Sequence, residues 1–390
     1  MTAGRERAAA LLDYLEGRRE RMVEMLVELA RLESPTDVPA TQAAVQARLR
    51  EALEERGMRV RHVPGKLTGG LLYARPRERV RGRPAQLLIG HSDTVWPVGT
   101  TATMPVVAED GQVRGPGTFD MKAGLVQGIF ALEALAALGL EPPATPGWVI
   151  NADEEIGSPE SRRWVRSAAR RAARAFVLEP SYGAEGRLKT ARKGVGRFRV
   201  TVRGIPAHAG LDPTAGASAI AEMADVILRL QALTDLERGT TLNVGTVRGG
   251  TRRNVVAAEA VAEVDMRVAT AEEGEAVSRV IHRLHAKTPG TTIHVDGGLA
   301  TPPLERTARN RALWAQAVLA GERLGISLQE YTAGGASDGN TTSQHTATLD
   351  GLGAIGDGAH ARHEAVSIAG MTERAALLAE LLMAPVEGID

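Results

Sequence analysis

Hydrophobic positions in the first half of the chain follow two alternating spacings. Helical spacing predicts helices over about residues 5–32 and 39–56 and from residue 121 onward, and the first of these ends at Ser34-Pro35. Short apolar runs predict strands at "RVRHV", "LLYA", "QLLIGH", "GWVINAD" and "AFVLEP". Strands that alternate with helices indicate an α/β layer architecture with a mostly parallel sheet.

The pattern changes after about residue 190, where "GRFRVTVRG" alternates polar and apolar residues as a half-exposed strand does. The elements predicted after it are a helix near 215–232, strands near 241–248 and 257–268, a helix near 272–287 and a strand at "TTIHVDG". This β-α-β-β-α-β order is typical of a ferredoxin-like α+β sandwich. We therefore predict one larger domain, residues 1–191 and 302–390, and a smaller inserted domain, residues 192–301.

Composition narrows the possible chemistry. A chain of 390 residues is too long for one typical core, which agrees with two domains. The absence of cysteine excludes disulfides, iron–sulfur clusters, Cys-type zinc fingers and a Cys nucleophile. A metal site must therefore use His, Asp and Glu, which suits zinc, manganese or cobalt.

Charge and hydropathy bear on partners and location. The formal net charge is zero, so nothing indicates binding to nucleic acid or to an anionic membrane. The first twenty residues lack the continuous apolar core of a signal peptide, and no apolar run is long enough to span a bilayer. We expect a cytoplasmic protein without a nucleic-acid or membrane partner.

An acidic triplet, Asp153, Glu154 and Glu155, directly follows the apolar run 148–150. Most acidic triplets are solvated loops. This one follows a predicted interior strand, and the ends of such strands are where ligands bind in α/β sheets. A bound cation would neutralise the repulsion between these carboxylates.

Further candidate ligands stand at other strand ends and loops. His91 and Asp93 end the strand in "LLIGHSDTV", share one face, and offer an imidazole with a group to orient it, although a polar strand end is the alternative. Asp120 precedes an apolar helix, where it serves as an N-cap or a ligand. Glu179 ends the strand in "VLEPS", where an ion pair is the alternative, and "GDGAHARHE" offers two histidines.

The order and spacing of seven motifs resemble the M20 metallopeptidase family, in particular its bacterial glutamate carboxypeptidase-like branch. The motifs are "GHSDTV", "GPGTFDMKAG", "NADEEIGS", "VLEPS", "IPAHAG", "GGASDGN" and "GDGAHARHE". The resemblance implies a zinc-exopeptidase-like catalytic domain and an inserted lid and dimerisation domain, through which a homodimer forms.

The resemblance also implies a role for each candidate. Asp120 would bridge two metal ions, Glu155 and His360 would complete one site, and His91 and Glu179 the other. Glu154 would be the general base, with Asp153 turned into the structure. The implied ions are two per chain, zinc first, with cobalt or manganese as alternatives.

Two details follow from the same resemblance. The family's last ligand stands four residues before a glutamate, which favours His360, four before Glu364, over His363. The peptide bond between Asp120 and Met121 is expected to be cis.

The substrate-binding residues are also implied by the resemblance. His208 in "IPAHAG" would polarise the scissile carbonyl or stabilise the oxyanion, reaching in from the partner subunit. Asn254 and Arg267 would bind the substrate carboxylate, although Arg267 also fits a solvated strand face where it pairs with acidic neighbours. Backbone donors near Gly335 and Ser337 would line the pocket floor.

Other functional classes fit the sequence less well. "GPGTF" lacks the third glycine of a dinucleotide-binding loop, "GHSDT" is not a serine nucleophile elbow, and "HEAVS" is not a one-metal zincin motif. A non-catalytic metal-binding assembly protein would be expected to lack Glu154 or a ligand. We predict a dinuclear hydrolase that acts on an N-acyl amino acid or short peptide and releases a C-terminal amino acid, with glutamate as one candidate. Deacylase and aminopeptidase activities are the alternatives.

Overall fold

The structure is a computed structural model that describes residues 2–78 and 80–386. The chain divides into two compact units. The first unit comprises Met1–Ala191, Arg306–Thr332 and Ser337–Asp390, and the second comprises Arg192–Glu305 and Ala333–Ala336.

The elements that begin before residue 192 belong to the alternating pattern. They are α1 (Thr2–Glu16), α2 (Arg19–Arg31), α3 (Pro39–Glu55), β1 (Met58–Val63), β2 (Leu71–Pro76), β3 (Ala85–His91), β4 (Val107–Glu109), β5 (Gln112–Arg114), α4 (Ala123–Ala137), β6 (Thr145–Asn151), α5 (Arg162–Ala169), β7 (Ala172–Val177) and β8 (Leu188–Arg192). The single first helix predicted over 5–32 is wrong, because α1 ends and α2 begins around Gly17. Glycine loses more backbone entropy in a helix than other residues, so the chain turns there.

The inserted segment forms the predicted β-α-β-β-α-β sequence. Its elements are β9 (Gly194–Arg203), α6 (Ala219–Gln231), β10 (Thr241–Gly249), β11 (Glu259–Val268), α7 (Ala271–His282) and β12 (Thr292–Thr301). The strands form an antiparallel sheet in the order β10-β11-β9-β12, and its apolar face packs with both helices into a core of its own. Both helices begin later or end earlier than predicted. The side chain of Ser218, for example, accepts a hydrogen bond from the backbone of Ala221 and starts α6 there.

The remaining elements follow the inserted segment along the chain. They are α8 (Ala308–Leu324), β13 (Glu330–Ala333), α9 (Asp338–Ser343), β14 (Ala347–Leu349), β15 (Gly356–Asp357), β16 (Ala365–Ser367) and α10 (Ile368–Leu382). One of them, β13, forms a two-stranded sheet with β8, and β15, β16, β5 and β4 form a small sheet in that order.

The main sheet of the first unit has the strand order β1-β2-β6-β3-β7-β14. Strands β6, β3, β7 and β14 are parallel, and β2 and β1 are antiparallel at one edge. One face packs against α1, α2, α4, α8 and α10 around the fully buried Trp148, and α5 covers part of the other face. The mostly parallel mixed sheet is therefore confirmed, and it brings the carboxyl ends of β6, β3 and β7 to one edge.

No helix in the described parts of the chain combines the length and the apolar character needed to cross a bilayer.

Helix α4 lies unusually close to the segment after β7, at Gly124. A Cβ atom at Gly124 would lie 2.1 Å from the carbonyl oxygen of Leu178. We expect Gly124→Ala to destabilise the protein by about 1–3 kcal/mol, because the backbone must shift to relieve the clash. Urea unfolding would measure this. Gly147→Ala in β6 is the matched control, since its nearest neighbour would be 3.7 Å away. Equal stability of both variants would show that α4 can move freely.

Candidate metal centre and active site

The carboxyl edge of the main sheet gathers the candidate ligands. His91 is the last residue of β3, Glu154 and Glu155 form a short helical turn after β6, and Glu179 follows β7. Asp120 precedes α4, and His360 lies in the loop between β15 and β16, where it adopts a φ of 61°. Residues that are up to 269 positions apart, 91 to 360, thus meet at one edge of the sheet.

Two groups of three side chains share Asp120. Nε2 of His91 lies 3.2 Å from Oδ1 of Asp120 and 3.5 Å from Oε1 of Glu179. Nε2 of His360 lies 3.4 Å from Oδ2 of Asp120 and 3.1 Å from Oε2 of Glu155. Each carboxylate oxygen of Asp120 therefore faces a different histidine.

The donor set of both groups fits divalent cations. Within each group the candidate ligand atoms all lie within 4.8 Å of one another. Imidazole nitrogens combined with carboxylate oxygens are the ligands that zinc, manganese and cobalt accept. In addition, Oε1 of Glu155 is buried and has no hydrogen-bond partner among the described residues. A buried carboxylate oxygen without a donor is costly unless a cation binds it.

The pKa values of His91 and His360 are both raised. Burial lowers the pKa of His91, but the carboxylates of Asp120, Asp93 and Glu179 outweigh it and raise the pKa well above its usual value. Hydrogen bonds to Asp120 and Glu155 raise the pKa of His360 to about 10. The acidic surroundings thus favour positive charge at both positions.

Glu154 lies among acids without being part of either group. Burial, followed by repulsion from Glu179 and Asp338, raises the pKa of Glu154 well above its usual value. Asp338 is itself buried and accepts hydrogen bonds from Asn151 and Ser158, at 2.6 and 2.7 Å. A carboxylate with a raised pKa is a better proton acceptor than a solvated one, which suits acid–base chemistry.

Asp93 orients both His91 and the acidic turn. The ring nitrogen Nδ1 of His91 lies 3.0 Å from the backbone oxygen of Asp93 and 3.4 Å from its carboxylate. The same carboxylate accepts the backbone N–H groups of Glu154 and Glu155, at 3.3 and 3.2 Å. The imidazole therefore presents Nε2 to Asp120 and Glu179.

Asp153 turns away from the ligand groups, as the resemblance implied. It is fully buried and accepts the backbone N–H groups of Glu160 and Ser161, at 2.7 and 3.0 Å. His363 also stays apart, with its side chain 70% exposed and 3.6 Å from Asp357. The peptide bond between Asp120 and Met121 is cis, as expected.

Glu364 has a structural role that sequence reasoning missed. Its buried carboxylate accepts the backbone N–H groups of Gly117, Phe119 and Asp120 at 2.9–3.0 Å and the indole N–H of Trp96 at 2.8 Å. Burial raises the pKa of Glu364 to about 7 despite these donors. The spacing of four residues between His360 and Glu364 favours His360 as the ligand, but it gives no sign of the four N–H donors, which come from distant segments.

His208 and Asn254 lie on neighbouring segments of the second unit. His208 pairs with Val255 in an isolated bridge, and the backbone oxygen of Asn254 accepts the N–H of Ala209. Nδ1 of His208 accepts the backbone N–H groups of Gly210 and Leu211, at 3.2 and 3.1 Å. Because Nδ1 is an acceptor, the proton of the neutral ring is on Nε2.

Arg267 lies in an ion pair on the exposed side of β11. Its Nε and Nη2 atoms bind the two carboxylate oxygens of Asp265, at 2.7 and 3.1 Å. This is the strand-face pairing that the sequence left open. A substrate carboxylate would have to displace Asp265 to use the same fork.

Ser337 lies at the start of α9. Its backbone N–H is donated to the side chain of Asn340 at 3.0 Å, and its hydroxyl to Asp350 at 2.6 Å, because Ser337 caps α9. A capped N–H group is not free to bind a substrate. For Gly335, the structure shows that its carbonyl oxygen accepts a hydrogen bond from Arg192 at 3.1 Å.

The hydrogen bonds of Glu364 lead to a stability prediction. Glu364→Gln would place an amide NH₂ against N–H donors, so we expect a loss of about 1–3 kcal/mol in unfolding free energy. Urea unfolding at pH 8, where the wild-type carboxylate is ionised, would measure it. Trp96→Phe, which removes one donor only, should cost less. A Glu364→Gln protein as stable as wild type would mean that the carboxylate does not hold the loop.

Comparison with known sequences supports the resemblance. The peptidase dimerisation domain of the M20 family matches residues 190–293. Carboxypeptidase G2 from Pseudomonas sp. (strain RS-16) is 27% identical over 314 residues, which cover 78% of this chain and 75% of that protein. Acetylornithine deacetylase from Myxococcus xanthus is 33% identical over 216 residues, which cover 52% of this chain and 54% of that protein.

Solved structures share the fold over nearly the whole chain. Aminopeptidase PepT from Bacillus cereus superposes with a TM-score of 0.77 at 22% identity, covering 94% of this chain and 98% of that one. A dinuclear metal-binding M20 peptidase from Bacillus subtilis superposes with a TM-score of 0.74 at 17% identity, with the same coverage of 94% and 98%. The chain therefore matches the M20 peptidase dimerisation domain over residues 190–293, is similar in sequence to a carboxypeptidase and a deacetylase, and shares the fold of M20 peptidases.

Proposed function

We propose that the protein is a dinuclear metal-dependent hydrolase that cleaves a peptide or N-acyl amide bond and releases a C-terminal amino acid, with glutamate as one candidate. The observation that carries this proposal is the pair of ligand groups joined by Asp120, with Glu154 beside them. Its substrate would be an N-acyl amino acid or a short peptide.

The two groups would hold one divalent ion each, zinc first, with cobalt or manganese as alternatives. His91, Asp120 and Glu179 would bind one ion, and Asp120, Glu155 and His360 the other. When bound, the ions would supply Lewis acidity toward the substrate carbonyl and lower the pKa of a water molecule.

The chain's own residues would then position and move protons. Glu154 would take a proton from the attacking water and deliver it to the leaving nitrogen. Asp93 would keep Nε2 of His91 facing its ligand group. The Nε2–H of His208 would donate a hydrogen bond to the oxyanion as the carbonyl becomes tetrahedral.

Substrate chemistry favours a carboxypeptidase-type reaction. Asn254 and Arg267 offer donors that fit a C-terminal carboxylate, whereas an aminopeptidase would need an anion for the substrate ammonium group. Carboxypeptidase G2 is among the relatives and is covered over 75% of its length. The deacetylase relative and the aminopeptidase fold neighbour keep deacylase and aminopeptidase activities as the alternatives.

The second unit would act as lid and dimerisation domain in a homodimer, which its match to the M20 dimerisation domain supports. A cytoplasmic location stays a prediction from the sequence.

Glu154→Gln tests the proposed base. The variant should keep two metal ions per chain by elemental analysis, because Glu154 is not in either ligand group. Its kcat on the best substrate of an N-acyl amino acid and dipeptide screen should fall on the order of 10²–10⁴-fold. Activity within a few-fold of wild type would exclude Glu154 as the base, and fewer than two ions in zinc-loaded wild type would refute the dinuclear centre.

Mixed dimers test whether His208 acts on the partner subunit. Glu154→Gln and His208→Ala homodimers should both be inactive. A heterodimer of the two should regain activity, because the chain with intact Glu154 would receive His208 from the other chain. The measurement is turnover by heterodimers purified with two different tags. Confirmed heterodimers without activity would place His208 in its own subunit's site or outside catalysis.

Substrate pairs test the role of Arg267. Wild type should prefer a free C-terminal acid to the matching C-terminal amide. Arg267→Ala should reduce kcat/KM for the acid by roughly ten- to several-hundredfold, as expected for losing a charged hydrogen bond, and barely change it for the amide. Equal cleavage of acid and amide by wild type would favour a deacylase or aminopeptidase.

A further inference from the structure

A groove lies on the face of the main sheet that α5 only partly covers. Helix α5 packs on β3, β6 and β7, and the same face of β2 and β1 continues beside it. The space between them measures about 310 Å³. We call this the α5 groove. Its lining residues include Arg61, Tyr73, Arg75, Val149, Trp164 and Arg171.

The body of the α5 groove is apolar and aromatic. Tyr73, 37% exposed, projects from β2, Val149 lies on β6, and Trp164 stands on α5. Leu72 and Ala74, the neighbours of Tyr73 along β2, face the opposite way into the main core. The aromatic side chain is therefore not needed to fill that core, and it presents a flat surface to the groove.

The rim of the α5 groove is positively charged. Arg61, Arg75 and Arg171 line it, and none of its lining residues, all within the described part of the chain, is Asp or Glu. Arg61 and Arg75 have no carboxylate within ion-pair distance among the described residues. On the paired strands, Arg75 stands directly opposite Arg59, and like charges in that position are destabilising. An anion would relieve this repulsion.

The α5 groove is separate from the metal centre. Its floor includes the amino end of β3 and residues of β6 as far as Val149, on the face that α5 partly covers. None of its lining residues is a candidate metal ligand or Glu154. The groove is therefore a different surface from the proposed catalytic site.

We infer that the α5 groove binds a small, flat anion, an aromatic carboxylate, sulfonate or phosphate. Its ring would lie against Tyr73 and Trp164, and its anionic group would accept hydrogen bonds from Arg61 and Arg75. Guanidinium groups bind such anions through paired N–H donors. The groove volume lies at the lower end of the range for small-molecule sites.

The probe for this site is 8-anilino-1-naphthalenesulfonate, a flat aromatic anion that fluoresces when bound. Titration of wild type should show saturable binding with energy transfer from tryptophan. In Arg61→Gln/Arg75→Gln the dissociation constant should rise at least roughly tenfold, as expected for losing charged hydrogen bonds. Arg203→Gln, at a strand arginine of the second unit that is 76% exposed, is the matched control and should bind like wild type.

A neutral analogue, N-phenyl-1-naphthylamine, has the same aromatic rings without the sulfonate. Comparing the two probes shows whether binding depends on the negative charge or only on apolar contact. The neutral analogue should bind wild type weakly and be unaffected by the double variant. The inference is overturned if the sulfonate binds both proteins equally, or if the neutral analogue binds as tightly as the sulfonate. It is also overturned if sedimentation shows that the double variant loses self-association, since the groove would then contact a second copy. All variants are surface substitutions, and their thermal unfolding would confirm that they fold.

Discussion

Repulsion among carboxylates at one edge of the main sheet is the constraint on which the first unit depends. Asp120, Glu154, Glu155 and Glu179 meet there in a partly buried setting. Acids brought this close favour protonation or a nearby positive charge. In the protein alone, the carboxylates raise the pKa values of His91 and His360, which favours a positive charge on each ring. Divalent cations bound between the same groups would neutralise the carboxylates more strongly.

A second set of acids holds the backbone that carries the first set. Asp93 binds the turn of Glu154 and Glu155, Asp153 binds the start of α5, and Glu364 binds the loop that ends at Asp120. Each does so by accepting N–H groups from a different segment. The hydrogen bonds from these N–H groups offset part of the cost of burying the three carboxylates near the ligand groups. The geometry of the centre therefore depends on residues that would touch no metal ion.

Charge is also separated across the main sheet. Acids collect at the carboxyl ends of the parallel strands, where His91 and Glu179 lie, and Arg61 and Arg75 lie around Tyr73 on the antiparallel edge strands β1 and β2. The chain has a formal net charge of zero, so this separation is invisible in the composition. One sheet can thus offer a cation-binding edge and an anion-binding groove.

The sequence by itself determined the architecture and most of the candidate centre. Local periodicity depends only on neighbouring residues, so it revealed the alternating pattern, the β-α-β-β-α-β insert and the strand ends that bear His91 and Glu179. The resemblance to the M20 family and the spacing to Glu364 then favoured His360 over His363. Only the tertiary structure decided which partner a side chain binds, either in a distant segment or among several neighbours. Folding brings four N–H donors to Glu364, and it places Arg267 in an ion pair with Asp265. It also directs the backbone N–H of Ser337 to the side chain of Asn340. Each side chain could bind several partners, and only the packed chain fixes which one lies within hydrogen-bond distance.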